Sequence, residues 1–225
     1  MEKIADGVYQ VSRGVNSFVI DGDDGVTLID TGMPKRQGAI VEGLSDIGRS
    51  AKDIETILIT HAHFDHVGGA DALQGASGAM VMASHDEASA IQGDRKPQPP
   101  LILDRIPFGA AIAGWFPKAR PVLVDGMVAE GHDTDLPQDL RAVDSPGHTT
   151  GHLSYLLERS GGIMFVGDAA VASNGNIKRA WFNRKTEAID GSIAHLGEFA
   201  FEIAVFGHSG PITSSASSAF ARFNQ

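Results

Sequence analysis

The chain is constrained most by what happens at Thr60. Before it, Ile54, Ile57, Leu58 and Ile59 form an apolar, largely β-branched run that reads as a buried strand. Directly after it stand His61-Ala62-His63-Phe64-Asp65-His66-Val67-Gly68-Gly69, four potential metal ligands within six positions. Side chains of that polarity do not belong inside an apolar layer. They belong where a strand of an αβ fold runs out into a cleft, which is where such folds place their sites. As alternate residues of an extended segment, His61 and His63 can point into one cleft. Asp65 and His66, if they open the next helix, project from a different backbone direction, an arrangement that suits two neighbouring metals better than one.

The rest of the sequence supplies layers around that strand. From Gly7 to Asp30 the pattern predicts an antiparallel meander of Val8–Val11, Ser17–Ile20 and Val26–Ile29, with turns at Gly14 and Asp21–Gly25. Pro34 to Ile47 sets Ile40, Val41, Leu44 and Ile47 at helical spacing. A second helix is expected from near His66 past Ala70 and Leu73 to Gly75, followed by a buried strand at Ala79–Ala83. Six of the ten prolines fall between Pro97 and Pro121, which excludes regular structure throughout that stretch and predicts a surface loop or lid. Further strands are expected at Pro121–Val124, Leu140–Val143, Leu153–Leu157, Ile163–Val166 and Ile203–Phe206, with a helix at Thr186–Phe199. Residues 1–225 are read as a single domain, long enough to bury a full core without disulfides.

Composition narrows the chemistry. Cysteine is absent, which removes disulfides, thiolate zinc sites and cysteine nucleophiles together, so any metal must be held by histidine and carboxylate. Eighteen basic against twenty-eight acidic side chains give a net charge of −10, which repels a phosphate backbone. No nucleic-acid partner and no anionic membrane partner are expected. The longest apolar stretch, Leu101–Phe116, is interrupted by Asp104, Arg105 and Pro107 and is shorter than the roughly 20 residues of a bilayer span. Met1–Asp6 shows no charged-then-apolar leader, so the cytoplasm is the expected address.

Three more candidates each follow an apolar strand and a glycine: His148 after Gly147, Asp168 after Gly167 and His208 after Gly207. Glycine there lets the backbone turn sharply and present the next side chain to a cleft. With the first cluster, this makes five imidazoles and two carboxylates. The set suits zinc or iron, with manganese also accepted, and is too nitrogen-rich for magnesium or calcium. His85, His132, His152 and His195 join no comparable motif and are read as ordinary structural histidines, with His152 also weighed as a support for the ligands because it lies four residues beyond His148.

With its HxHxDH motif whole and the later His, Asp and His in order, the sequence resembles the metallo-β-lactamase fold superfamily, from Leu28-Ile29-Asp30-Thr31-Gly32 to Phe206-Gly207-His208. The resemblance implies an α/β (α+β) fold, a four-layer αββα sandwich of two mixed β-sheets flanked by helices, with the metal site at the sheet edge. It implies that His61, His63 and His148 bind one divalent metal ion, that Asp65, His66 and His208 bind a second, and that Asp168 bridges them. Zinc is the expected metal. Asp30 is implied beside the ligands, where a carboxylate can orient an imidazole.

Function follows as an expectation. A metal-held water can ionise near pH 7, against 15.7 for bulk water, and supply a hydroxide that attacks a carbonyl carbon. Asp65 is expected to orient that nucleophile as the catalytic carboxylate. The expected activity is therefore zinc-dependent hydrolysis of a small ester, lactone or thioester. The alternatives are a mononuclear iron enzyme resembling the sulfur dioxygenases and a non-catalytic metal-binding protein on the same scaffold. Only seventeen residues follow His208, so no extra C-terminal domain like that of glyoxalase II-like thioesterases is expected. Lactonases of the quorum-quenching type are similar in size and ligands, though several carry a tyrosine just beyond the bridging aspartate where this chain reads Ala169-Ala170-Val171. The basic, aromatic segment Ile177–Lys185 is expected to hold an anionic, partly apolar small-molecule substrate through Arg179, Trp181 and Phe182. Gly109–Phe116, with Trp115, is read as an opposing wall or a dimer contact, which leaves a homodimer open.

Overall fold

Alternating apolar residues near the N-terminus form a meander. The strands are β1 (Glu2–Ala5), β2 (Val8–Ser12), β3 (Asn16–Gly22) and β4 (Gly25–Ile29), paired antiparallel in order. The computed structural model describes residues 1–98, 117–131, 136–137, 139–181 and 183–223. Most of the proline-rich stretch, with Gly109–Phe116 and Trp115, lies outside the described residues, as do His132 and Phe182.

After β4 the connections become helical and the pairing parallel. In order come α1 (Gly38–Asp46), β5 (Ile54–Leu58), α2 (Phe64–Val67), α3 (Ala70–Ser77), β6 (Met80–Ala83), α4 (His85–Ile91) and β7 (Gly126–Met127), which complete a mixed seven-stranded sheet in the order β1 to β7. Then follow β8 (Leu140–Asp144), β9 (Leu153–Leu157), β10 (Ile163–Phe165), the hairpin of β11 (Ala170–Ser173) and β12 (Asn176–Arg179), α5 (Thr186–Leu196), β13 (Ile203–Val205) and α6 (Ala216–Ala221). A second, four-stranded sheet has the order β13-β10-β9-β8, mixed because β10 and β13 run parallel.

Three apolar clusters separate four layers. Phe18, Ile20, Ile29 and Leu58 of the first sheet meet Tyr155, Leu157, Phe165 and Val205 of the second. The alternate residues Val19, Leu28 and Ile57 face the other way, against Ile40 and Leu44 of α1, Leu73 of α3 and Ile91 of α4. On the far side, Leu156, Met164 and Ala204 meet Ile189, Ile193 and Leu196 of α5 and Phe220 of α6. The layers are therefore α, β, β, α. Both sheets are covered on both faces, which is why their strands read as nearly unbroken apolar runs. Phe18 and Phe165 touch edge to face across the sheets at 5.3 Å.

Several boundaries differ from expectation for physical reasons. Pro121–Val124 is not a strand, although Val122 and Val124 are buried. Pro121 has no N–H to give a ladder, and the Asp125 carboxylate takes the Val81 N–H at 2.9 Å where a strand carbonyl would have. The helix expected from near His66 to Gly75 is two: α2 stops at Gly68, and α3 runs on to Ser77, where Gly78 closes it at φ 79°. A Cβ at Gly68 would overlap Pro34 N and Phe64 O, so the helix end lies close against the loop after β4. The helix expected to reach Phe199 ends at Leu196. Among the described residues no helix is long and apolar enough to cross a membrane.

All the strands that carry candidate ligands end at one edge of the sandwich. Backbone bonds stitch those ends together: Leu153 N–H to Thr60 O at 3.0 Å and Asn16 N–H to Gly207 O at 2.8 Å. Asn16 also gives its side-chain amide to Phe206 O and Ser209 O.

Candidate metal centre

The seven residues of the HxHxDH motif and the later His, Asp and His come together, although they lie on four separate strand ends. Three imidazole nitrogens converge first. His61 Nε2 is 2.9 Å from His63 Nδ1, which is 3.0 Å from His148 Nε2. In each ring the other nitrogen has a partner that settles the tautomer. The Thr60 hydroxyl donates to Asp30 Oδ2 at 2.8 Å, so its oxygen accepts from His61 Nδ1 at 3.0 Å. His63 Nε2 donates to Gln98 O at 2.8 Å. His148 Nδ1 donates to Asn183 Oδ1 at 3.3 Å, and Asn183 is oriented by giving its amide to Ala180 O. Three lone pairs therefore face one another with no proton between them. Burial disfavours charge on His61 and His148 and lowers both pKa values, that of His148 to about 4, so both are neutral at pH 7.

The second set is acidic. His66 Nδ1 donates to Asp30 Oδ2 at 2.7 Å, and its Nε2 lies 3.4 Å from His208 Nε2 and 3.5 Å from Asp168 Oδ1. His208 Nε2 is 3.3 Å from Asp65 Oδ2 and 3.4 Å from Asp168 Oδ2. Burial opposes charge on His66 and His208, but Asp168 and the neighbouring aspartates outweigh it and raise them to about 9 and about 10. Burial likewise works against the Asp65 and Asp168 carboxylates, and the surrounding imidazoles more than reverse it, so both titrate below their ordinary range.

Asp168 Oδ2 is 3.4 Å from His148 Nε2 of the first set and 3.4 Å from His208 Nε2 of the second. Its other oxygen, Oδ1, is buried without a hydrogen bond, an expensive state for a carboxylate oxygen unless something charged completes it. The nitrogen separations of 2.9 and 3.0 Å approach the edge of about 3.3 Å that a tetrahedral zinc with bonds near 2.0 Å requires. His61, His63 and His148, and likewise Asp65, His66 and His208, could each hold a metal ion. The donor set of nitrogen and carboxylate fits zinc, iron or manganese.

The supports are as specific as the ligands. Asp30, at φ 57° after β4, accepts the Thr60 N–H at 2.9 Å as well as the His66 ring proton. His152 packs its ring against that of His61, centroids 5.1 Å apart, while its Nε2 accepts the Asp168 backbone N–H at 3.0 Å and its Nδ1 donates to Ser145 Oγ at 2.8 Å. Gly167, at φ 57°, makes that turn with no Cβ, which would lie 2.7 Å from His152 Nε2. Gly147 is also left-handed at φ 132°. At Gly207 the requirement is space, because a Cβ would overlap Asp168 Oδ1.

Residues outside the seven have surroundings of their own. Arg179 is committed to Asp190 of α5 through two bonds of 2.5 and 2.7 Å and lies over the Phe223 ring. Trp181 is 63% exposed, two residues before Asn183. His85 is exposed beside Asp86, and His195 sits between Glu130 and Glu198. Sequence patterns did not single out Glu87, Gln98 or Asn183. Each acts on groups tens of residues away, and none stands in a motif.

Comparison with known proteins agrees with this geometry. The metallo-beta-lactamase superfamily model matches residues 12–208. An uncharacterised protein of Bacillus subtilis, YobT, is 33% identical over 74% of this chain and 69% of its own length. An N-acyl homoserine lactonase of a Bacillus species is 26% identical over 68% of this chain and 62% of its own. A hydroxyacylglutathione hydrolase of Pseudomonas entomophila is 35% identical over 53% of this chain and only 35% of its own. Among solved structures, a metallo-beta-lactamase of Cronobacter sakazakii superposes with a TM-score of 0.70 at 27% identity, covering 91% of this chain and 78% of that one. A metallo-beta-lactamase family protein of Thermus thermophilus reaches 0.71 at 23% identity, over 97% and 78% of the two chains, and shares the fold. With the match spanning nearly all of the sandwich and every strand end that carries a candidate ligand, this chain belongs to the metallo-beta-lactamase superfamily.

Proposed function

We propose that the protein is a hydrolase of a small ester, lactone or thioester that works with two divalent ions, zinc in the first instance. The observation that carries the reading is Asp168 Oδ2, 3.4 Å from one imidazole of each set, so that this carboxylate would be within reach of both ions. His61, His63 and His148 would hold one ion and Asp65, His66 and His208 the other. Such ions bring the pKa of a coordinated water towards 7 and polarise a carbonyl oxygen.

The chain's own residues do the rest. Asp65, kept an acceptor at neutral pH by His208 and His66, orients the attacking water and accepts its proton. Asp30 keeps His66 in one tautomer, and His152 fixes the backbone from which Asp168 projects. The loop that orients His148 through Asn183 also carries Trp181, whose exposed indole offers an apolar surface to a substrate. With Arg179 paired to Asp190, recognition of an anionic substrate group falls to other residues of this loop. Two relatives named N-acyl homoserine lactonase and hydroxyacylglutathione hydrolase support a carbonyl substrate.

The test is elemental analysis of protein purified without added metal, alongside turnover on esters, lactones, thioesters and persulfides. Two zinc ions per chain with ester, lactone or thioester turnover is the expected result. One iron per chain with persulfide oxidation would replace this reading by the mononuclear one, and metal without turnover would leave a binding protein.

A further inference from the structure

One buried acidic side chain stands outside that chemistry. Glu87, in the first turn of α4, is 1% exposed, and each of its carboxyl oxygens accepts a backbone N–H. Oε2 takes Ala62 N–H at 3.0 Å and Oε1 takes Gly151 N–H at 3.2 Å. Ala62 lies between His61 and His63, and Gly151 lies three residues after His148. One side chain thus ties together the two loops whose three nitrogens converge, and these loops are 85 residues apart in sequence.

The seat is built for that contact. A Cβ at Gly151 would lie 2.6 Å from Asp86 Cβ and from Ser84 Oγ, so the loop rests on the start of α4 with nothing between. Ser84 Oγ in turn accepts the Glu87 N–H at 3.3 Å, which holds Glu87 at a fixed height on the helix. Among the described residues no cationic side chain pairs with Glu87, so its carboxyl acts on these two loops alone. The other half of the centre hangs from different supports: His66 from Asp30 and Thr31, His208 from the strand end that Asn16 holds, and Asp168 from His152.

We propose that Glu87 is a positioning residue for one half of the centre, setting the affinity for the cation held by His61, His63 and His148 and leaving the other half unaffected. This rests on the two-cation reading above. Three donors on two loops bind tightly only if the loops are already in register, and supports one step behind metal ligands typically change affinity by about 10- to 100-fold.

The experiment is titration of metal-free protein with zinc against a chromogenic chelator, for wild type, Glu87→Gln and Glu87→Ala. Circular dichroism confirms folding, and glutamine keeps the size and one acceptor should alanine fail to fold. Wild type is expected to take two tight equivalents. In the variants one equivalent weakens by about 10- to 100-fold and the other stays within about twofold. Combined variants assign the half: Glu87→Ala on a His208→Ala background weakens the equivalent that remains, whereas on a His63→Ala background it does not. Equal weakening of both equivalents, or of neither, overturns the proposal. A wild type that fails to take two equivalents overturns the two-cation reading itself, a result visible before any Glu87 variant is measured.

Discussion

Replacing Asp30 by asparagine separates holding the fold from holding a cation. Asp30 sits at φ 57°, in the left-handed region that asparagine tolerates as well as aspartate does, so Asp30→Asn leaves the backbone in place. The carboxyl accepts three hydrogen bonds: Thr60 N–H at 2.9 Å, Thr60 O–H at 2.8 Å and His66 Nδ1–H at 2.7 Å. An asparagine can keep the first with its carbonyl oxygen, but its amide then points at the other two. The threonine hydroxyl can turn and accept. The imidazole, neutral in the form that binds a cation, must move its proton from Nδ1 to Nε2, the atom 3.4 Å from His208 Nε2. With Nε2 protonated, no lone pair remains for a metal. The loss of one charge-assisted bond costs about 1–3 kcal/mol, within the roughly 5–15 kcal/mol by which domains are stable, so the variant folds. Affinity for one of two zinc equivalents falls by about 10- to 100-fold. Urea unfolding of the metal-free protein gives the first number, chelator competition the second, and long-range nitrogen-15 NMR of the His66 ring reads the tautomer. A variant that keeps the Nδ1–H tautomer and binds both equivalents with wild-type affinity would refute the reasoning.

Replacing His61 and His63 together by alanine removes two of three converging nitrogens and is expected to abolish turnover and metal retention in that half, checked by elemental analysis and the substrate panel; full activity would sink the assignment. Gly207→Ala places a Cβ against Asp168 Oδ1 and 2.8 Å from His66 Cε1, so turnover should fall at least about tenfold while thermal stability, at a residue with ordinary φ, changes little; wild-type turnover would mean that Asp168 has room to move. His195 is opposed by partial burial, but Glu130 and Glu198 outweigh this and raise its pKa above 6.5. A raised folded-state value stabilises fully below 6.5 and is lost as pH rises through it, and with a third of the side chain exposed the effect stays under about 1 kcal/mol. The urea midpoint of wild type should therefore exceed that of His195→Gln more at about pH 5 than at about pH 9; a gap that widens with pH would contradict the pairing.

What could be read in the sequence was local. The His61–His66 run follows a strand whose apolar character is fixed by burial on both faces, and the strands at Leu140, Leu153 and Ile163 announce themselves in the same way. Arg179 shows where local reading ends. In isolation it is a basic residue beside an aromatic one, a reasonable grip for an anion. Only the packing of α5 beside β12 brings Asp190 into reach and uses up the charge. The β11–β12 hairpin and α4 were not read because four and seven residues are too few to show a period. Glu87 was not read because its role depends on backbone groups 25 and 64 residues away, and a backbone N–H carries no sequence signal.

The two halves of the centre differ in a way that the ligand letters alone do not convey. Both are rich in histidine, but at His61 and His148 of the first set burial dominates and disfavours the proton, whereas at His66 and His208 of the second the aspartates outweigh burial and the rings keep it. The difference comes from what stands behind each ring. His61 leans on a threonine hydroxyl, His63 on a backbone carbonyl and His148 on an asparagine, all neutral, while His66 leans on Asp30 and faces Asp168, and His208 faces Asp65 and Asp168. A cation entering the first half meets lone pairs already free. To bind in the second half, a cation would have to displace the protons that Asp30, Asp65 and Asp168 favour on His66 and His208, and its own charge would then face those aspartates. On the two-cation reading, those acidic surroundings would favour a doubly charged occupant over a singly charged one.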